Sequence, residues 1–181
     1  MNNNLEVQKK IVSKYIYAKD NNKPHMMKDI FTKNAILNME LETKNISFPS
    51  ESMGLDSITN VLVKEFNKSY ENVYSFCFLD SIKGDNEKLV CKWLVIMSSK
   101  ENDTLRIGYG TYKWSFDKDK NFLIKQLVIS IEEMVILEEK FIYEMMNWIG
   151  SIPYPWCNTK NVLQNMPSLE LLKPIKNINK K

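Results

Sequence analysis

His25 is the only histidine in the chain, Arg106 the only arginine, and Cys77, Cys91 and Cys157 the only thiols. A cysteine nucleophile needs a base, usually histidine, to become a thiolate. Cys157 stands in "PYPWCN", far in sequence from His25, which follows Pro24 at a helix start where an exposed polar role is usual. His25 is kept as a weak acid–base candidate. Cys77 and Cys91 lie in apolar runs, where cysteine behaves as a small hydrophobe. With one histidine and no CxxC pair there is no ligand set for zinc, and neither a metal nor a cofactor is expected. Arg106 opens "RIGYGTYKWSF", either as an anion contact at a pocket mouth or as a solvent-facing cation at a strand end. Within that stretch Tyr112, Trp114 and Phe116 alternate with Thr111, Lys113 and Ser115. Charge and hydroxyl belong outside a strand, so the aromatic row faces in. Gly108 and Gly110 continue that row without side chains, and either bend the strand or leave room for a ligand. Trp93 shares a face with Cys91, Val95 and Met97, as pocket wall or as core.

The elements that must position these groups come from a chain of 181 residues, 44% hydrophobic, which is enough for one substantial core. Its net charge of +3 rests almost wholly on lysine. Nucleic-acid readers favour arginine for its planar fork, so a nucleic-acid partner is not expected. The N-terminal "MNNNLEVQKK" lacks the apolar stretch of a signal peptide, and no apolar run reaches the roughly 18 residues that span a bilayer. The expectation is a cytoplasmic protein with reduced thiols and no membrane partner.

Val7, Ile11, Tyr15 and Ala18 recur at helical spacing, so residues 5–20 read as an amphipathic helix. A short helix follows from Pro24 to about Phe31, then a half-buried strand carrying Ala35, Leu37, Met39 and Leu41 on one face. Residues 43–54 read as a loop, and Leu55, Ile58, Leu62 and Phe66 as the stripe of a third helix. Strand signals come at Val73–Asp80, Leu89–Ser98, Thr104–Phe116 and Phe122 to about Met134, with hairpin turns at "KGDNE" and "KENDT". Leu137, Phe141, Met145 and Trp148 form a last helical stripe, stopped by Gly150. Helices first and hairpin-linked strands after is the α+β pattern.

This order resembles the nuclear transport factor 2-like superfamily, in particular its SnoaL-like branch. The residues that carry the match are "YIYAKDNNKPHMMKDIFTKNAIL" (15–37), "GLDSITNVLVKEF" (54–66) and "GYGTYKWSFDKDKNFLIKQLVI" (108–129), and it covers about 5–135. The resemblance implies a cone-shaped, curved antiparallel sheet wrapped around three N-terminal helices, with an apolar cavity between them. It also implies a homodimer through the sheet face opposite the helices. Against the superfamily's ketosteroid isomerases, Tyr15 matches the helix-borne tyrosine, Tyr112 falls near the protonated acid, and Met39 falls at or beside the base. A thioether takes no proton, so that isomerisation is disfavoured. Tyr15, Met39, Trp93, Tyr112 and Trp114 are the expected ligand-binding residues, with Tyr15 and Tyr112 as weak catalytic candidates beside His25.

Two functions follow. One is a small apolar or aromatic molecule held in the cone cavity, for binding or for isomerase, dehydratase or cyclase chemistry. The other is a non-catalytic dimeric interaction module whose cavity is filled or capped. Residues 1–136 are expected to form the cone domain, and 137–181 a helical extension docked on it through Tyr154 and Trp156.

Overall fold

The computed structural model describes residues 3–178. Helix α1, Asn3–Asp20, buries Ile11, Val12, Tyr15, Ile16 and Ala18 and leaves Lys10 and Lys14 in water. A single 3-10 turn, Pro24–Asp29, follows; proline's fixed φ and missing N–H suit a first turn. Strand β1, Phe31–Leu41, turns Ala35, Leu37 and Met39 inward. The segment read as a loop contains a short strand, β2 (Glu51–Met53), antiparallel to β1; three residues are too few to carry a periodicity.

The third helical stretch is one continuous run built from α2 (Leu55–Thr59), a π turn (Asn60–Glu65) and α3 (Phe66–Ser69), with Ile58, Leu62 and Phe66 buried. A π turn inside a helix often marks a functional place, and this one carries Leu62 onto the cavity described below. The remaining strands are β3 (Tyr70–Phe78), β4 (Lys83–Gly84), β5 (Lys88–Ser99), β6 (Leu105–Asp117) and β7 (Leu123–Leu137). Strand β7 runs past the expected end because Met134 to Leu137 pair with Leu105 to Gly108.

With β8 (Trp156–Cys157), the strands form one sheet in the order β2-β1-β7-β6-β5-β3-β8, with β4 on β5. The fold is α+β with a curved sheet around the N-terminal helices, as the sequence predicts. The sheet is nonetheless mixed. Strand β1 is parallel to β7, and β8 is parallel to β3. Hairpins reveal direction only between consecutive strands, and β1 and β7 are joined by most of the chain. Register shifts in β1, in β3 and twice between β6 and β7 supply the bends that curl the sheet.

The sheet has an apolar core on each side. The inner one lies between the helices and Cys77, Trp93, Tyr112, Trp114 and Ile129. The outer one joins Phe76, Phe78, Leu94, Ile96, Leu105 and Ile107 to the C-terminal segment. That segment holds α4 (Ile142–Gly150), β8, α5 (Thr159–Leu163) and a 3-10 stretch, Glu170–Asn177. Leu137 ends β7 and Phe141 closes a turn, so the expected stripe is helical only from Met145 to Trp148. The sheet face on which the sequence reading places a homodimer contact is therefore occupied by the chain's own Met145, Trp148, Val162, Leu172 and Ile175. No described helix is long and apolar enough to cross a membrane.

Candidate functional site

Tyr15 and Lys19 stand four apart on α1, so both leave the same face of the helix and meet the inner sheet. Met39 comes from β1, Ser75 from β3, Trp93 from β5 and Tyr112 from β6, each at an inward position of its strand. Together with Leu62 and Phe66 they enclose a cavity of about 40 Å³. Its roof is Ile46 and Phe48, from the segment between β1 and β2. That segment is tied down by Asn45, whose side chain donates to the Met134 carbonyl at 2.7 Å and whose carbonyl accepts from Arg106 Nη1 at 2.9 Å. Arg106 thus holds the roof.

The aromatic groups form one cluster. Trp93 stacks on Tyr112 with centroids 5.3 Å apart, and Tyr15 meets Trp114 edge-on at 5.2 Å. Trp114 lies behind Tyr15 and Tyr112 and does not line the cavity, while Tyr15, Met39, Trp93 and Tyr112 do. His25 is exposed on the 3-10 turn and borders none of the cavity. Cys157 is buried in the outer core, where burial, with Asp80 adding to it, pushes its thiol up to about 12. Neither glycine of the inward row leaves room for a ligand. A Cβ on Gly108 would run into the Met134 side chain, and one on Gly110 into the backbone of Ser130, where β7 bulges.

Two features of the site are polar. The first is a buried network at the end of α1. Asp20 Oδ1 accepts from Lys19 Nζ at 2.6 Å and from Ser75 Oγ at 2.9 Å. Asp20 Oδ2 accepts from the Ser75 amide at 2.7 Å and from Tyr154 Oη at 2.8 Å. A carboxylate at a helix C-terminus opposes the helix dipole by about 0.3–1 kcal/mol, and four hydrogen bonds, all charge-assisted by the ionised acceptor, offset this. Lys19 Nζ also reaches Ser75 Oγ at 2.9 Å and sits 4.8 Å from the Phe66 ring centre. The second feature is a set of unpaired donors. Tyr15 Oη, Trp93 Nε1 and Trp114 Nε1 are buried with no hydrogen-bond partner among the described residues. Burial above all, with Asp20 and Cys77 adding to it, holds the Tyr15 hydroxyl well above the usual phenol range; burial does the same for Tyr112. Both remain neutral O–H groups. The cavity lining contains Lys19 but, among the described residues, no Asp, Glu or His, so it offers donors and no general base.

The sequence reading missed Lys19, Asp20, Ser75 and the roof. Lys19 carried a signal: it continues the Val12–Tyr15–Ile16 stripe by one turn, where a charge on an apolar face must be paired or used. Ser75 and the roof residues carried none, because the contacts that gather them span more than fifty residues.

No protein-family model and no curated protein matches the sequence. Solved structures do. A type 2 hexachlorocyclohexane dehydrochlorinase matches with a TM-score of 0.56 at 11% identity, over 71% of this chain and 85% of the other. A nuclear transport factor 2-like protein from Burkholderia xenovorans LB400 matches at 0.53 and 8% identity, over 72% and 89%. A computationally designed 17-OHP binder matches at 0.54 and 7% identity, over 72% and 98%. Strand order, inner cavity and these matches agree: the chain has the fold of the nuclear transport factor 2-like superfamily.

Proposed function

We propose that this protein binds a small, apolar, neutral molecule carrying an acceptor oxygen, in the cavity between α1 and the inner sheet. The observation that carries the reading is the pair of buried, unpaired donors on the cavity wall, Tyr15 Oη and Trp93 Nε1. A buried donor without a partner costs about 1–3 kcal/mol, and native proteins retain few of them. A carbonyl oxygen admitted to the cavity would supply the acceptor that these donors lack. The Lys19 charge is already balanced by Asp20, so a carboxylate would arrive without a free counter-ion, and a ketone or aldehyde fits better. A designed protein of the same fold is a 17-OHP binder, which agrees with an apolar ligand in such a cavity.

With no Asp, Glu or His in the lining among the described residues, polarisation of a carbonyl is the simplest chemistry within reach; Asp20, just outside the lining, meets the cavity through Lys19 and Ser75. The cavity volume favours a second reading, a domain whose cavity is closed and serves only packing. At about 40 Å³ it is far below the ~150 Å³ of an engineered cavity that holds benzene, so binding requires Ile46 and Phe48 to move. We read 137–181, of which 179–181 lie outside the described residues, as an extension docked on a cone unit 1–136; the outer core that the two share supports the docking.

Titration of the full chain with acetophenone, followed by tryptophan fluorescence, tests the ligand reading. Saturable quenching is expected, with affinity about ten-fold weaker in Tyr15→Phe, the worth of one neutral hydrogen bond. Absence of saturation would favour the closed domain, and equal affinity in the variant would overturn the role of the Tyr15 hydroxyl.

A further inference from the structure

The cavity wall holds a buried primary amine, and donor-assisted carbonyl binding does not use it. Lys19 is 6% exposed, and its Nζ lies 2.9 Å from Ser75 Oγ and 4.8 Å from the Phe66 ring, two groups that line the cavity. Two of its three N–H bonds go to Asp20 and Ser75; the third has no acceptor among the described residues. Tyr15, one helical turn earlier, presents its free hydroxyl from the same face. Tyr15, Trp93 and Lys19 line the same cavity, so a carbonyl held there has the amine among its neighbours.

We propose that Lys19 captures small apolar aldehydes as an iminium, with Asp20 as the counter-ion of the product. The inference rests on the acceptor-oxygen reading above and names its substrate class. Asp20 Oδ1, 2.6 Å from Nζ, takes one proton from the ammonium, and the freed lone pair attacks the aldehyde carbon. A C–N bond forms as the C=O π bond breaks, with the developing oxyanion stabilised by the Tyr15 hydroxyl. Asp20 relays the proton to that oxygen, a second nitrogen-bound proton follows, and the C–O bond breaks to release water. Two of the ammonium's three protons leave in that water and the third stays on the iminium. Charge on nitrogen is +1 before and after, and in between Asp20 carries the proton it has taken, so the buried carboxylate is not left charged without a cation. That matters because a buried charge left unpaired is strongly disfavoured. Lysines in apolar pockets are the ones that form such adducts, and a lining of Leu62, Phe66 and the roof residues excludes the water that would reverse the step.

The experiment uses the full chain with benzaldehyde and sodium cyanoborohydride, which reduces an iminium to a stable benzylamine, followed by peptide mass mapping. Expected is labelling of Lys19 that saturates with aldehyde concentration and is suppressed by acetophenone. Exposed lysines such as Lys68 and Lys140 label linearly and without competition. In Asp20→Asn the Lys19 rate falls about ten-fold, the effect of losing a charged partner, while exposed lysines keep theirs. Lys19 labelled no faster than exposed lysines, in a protein that still binds acetophenone saturably, would overturn the iminium and leave the binding reading intact. Failure of both acetophenone binding and Lys19 labelling would overturn both. The wild-type mapping needs no variant to fold.

Discussion

The four tryptophans divide by the part of the chain that supplies them. In the C-terminal segment, Trp148 Nε1 donates to the Val162 carbonyl at 2.9 Å, and Trp156 Nε1 to Ser13 Oγ at 2.9 Å. Against the inner sheet, Trp93 and Trp114 are as deeply buried as Trp148, more so than the half-buried Trp156, and neither ring nitrogen has a partner among the described residues. Trp148 and Trp93, equally buried, are thus treated in two ways. Where the segment only has to hold, each N–H is satisfied and the packing is a stability device. Around the cavity, unpaired donors collect on one aromatic cluster, an arrangement that costs stability unless something else supplies the acceptor.

The largest effect should come from removing the outer core outright. Truncation after residue 136 uncovers Phe76, Phe78, Leu94, Ile96, Leu105 and Ile107. At about 1.5–3 kcal/mol per buried side chain, the loss rivals the whole stability of a typical domain. We expect a truncated chain that binds an apolar dye strongly and aggregates on warming. One as soluble and heat-stable as the full chain would show the segment to be dispensable.

Next come the tryptophans themselves. Trp148→Phe and Trp93→Phe remove similar volume, but only the first leaves a carbonyl unpaired. Urea unfolding should therefore show Trp148→Phe to be the more destabilised by about 1–2 kcal/mol. Equal losses would erase the distinction between the two regions. Tyr15→Phe sharpens it further: a buried tyrosine normally loses about 1–3 kcal/mol with its hydroxyl, and here the change should lie within about 0.5 kcal/mol of zero or be stabilising. A loss above about 1 kcal/mol would mean that the hydroxyl has a structural partner.

A separate effect is in pH. Burial raises the Cys77 thiol well above its usual value, and burial first, then Asp80, raises Cys157 to about 12. A raised folded value means that the contribution is complete below the unfolded thiol's value, near 9, and is lost as pH climbs towards 12. The urea midpoint should hold to about pH 8 and then decline gently to pH 10. A midpoint rising over that range would contradict the buried-thiol assignment.

Much of this was legible from local pattern. The stripe of α1, the alternation of Tyr112, Trp114 and Phe116, and the hairpin turns each depend on neighbours within a few residues, so helix and strand positions could be read directly. The outer core was half visible. The runs "FCF" in β3 and "WLVIM" in β5 do not alternate, which is the mark of a strand covered on both faces, and in β6 Leu105 and Ile107 put apolar side chains on the face opposite Tyr112 and Trp114. Read as plain strands, they left the outer face free for a second copy of the chain, while the apolar residues that cover it waited in 142–178.

What the sequence by itself determined is the alphabet of the site: lone His25 and Arg106, three thiols, an aromatic row and no base at Met39. Those are statements about which residues exist and how they are spaced. The tertiary structure decided the rest. It made β1 and β7 parallel neighbours, laid Ile46 and Phe48 over the cavity, filled the space beside Gly108 with Met134, and left Tyr15 and Trp93 without acceptors. It also brought Tyr154 to Asp20 across 134 positions of sequence. The physical reason is that hydrogen-bond satisfaction and cavity volume are properties of groups meeting from distant segments. No local period encodes whether a buried donor has found its partner.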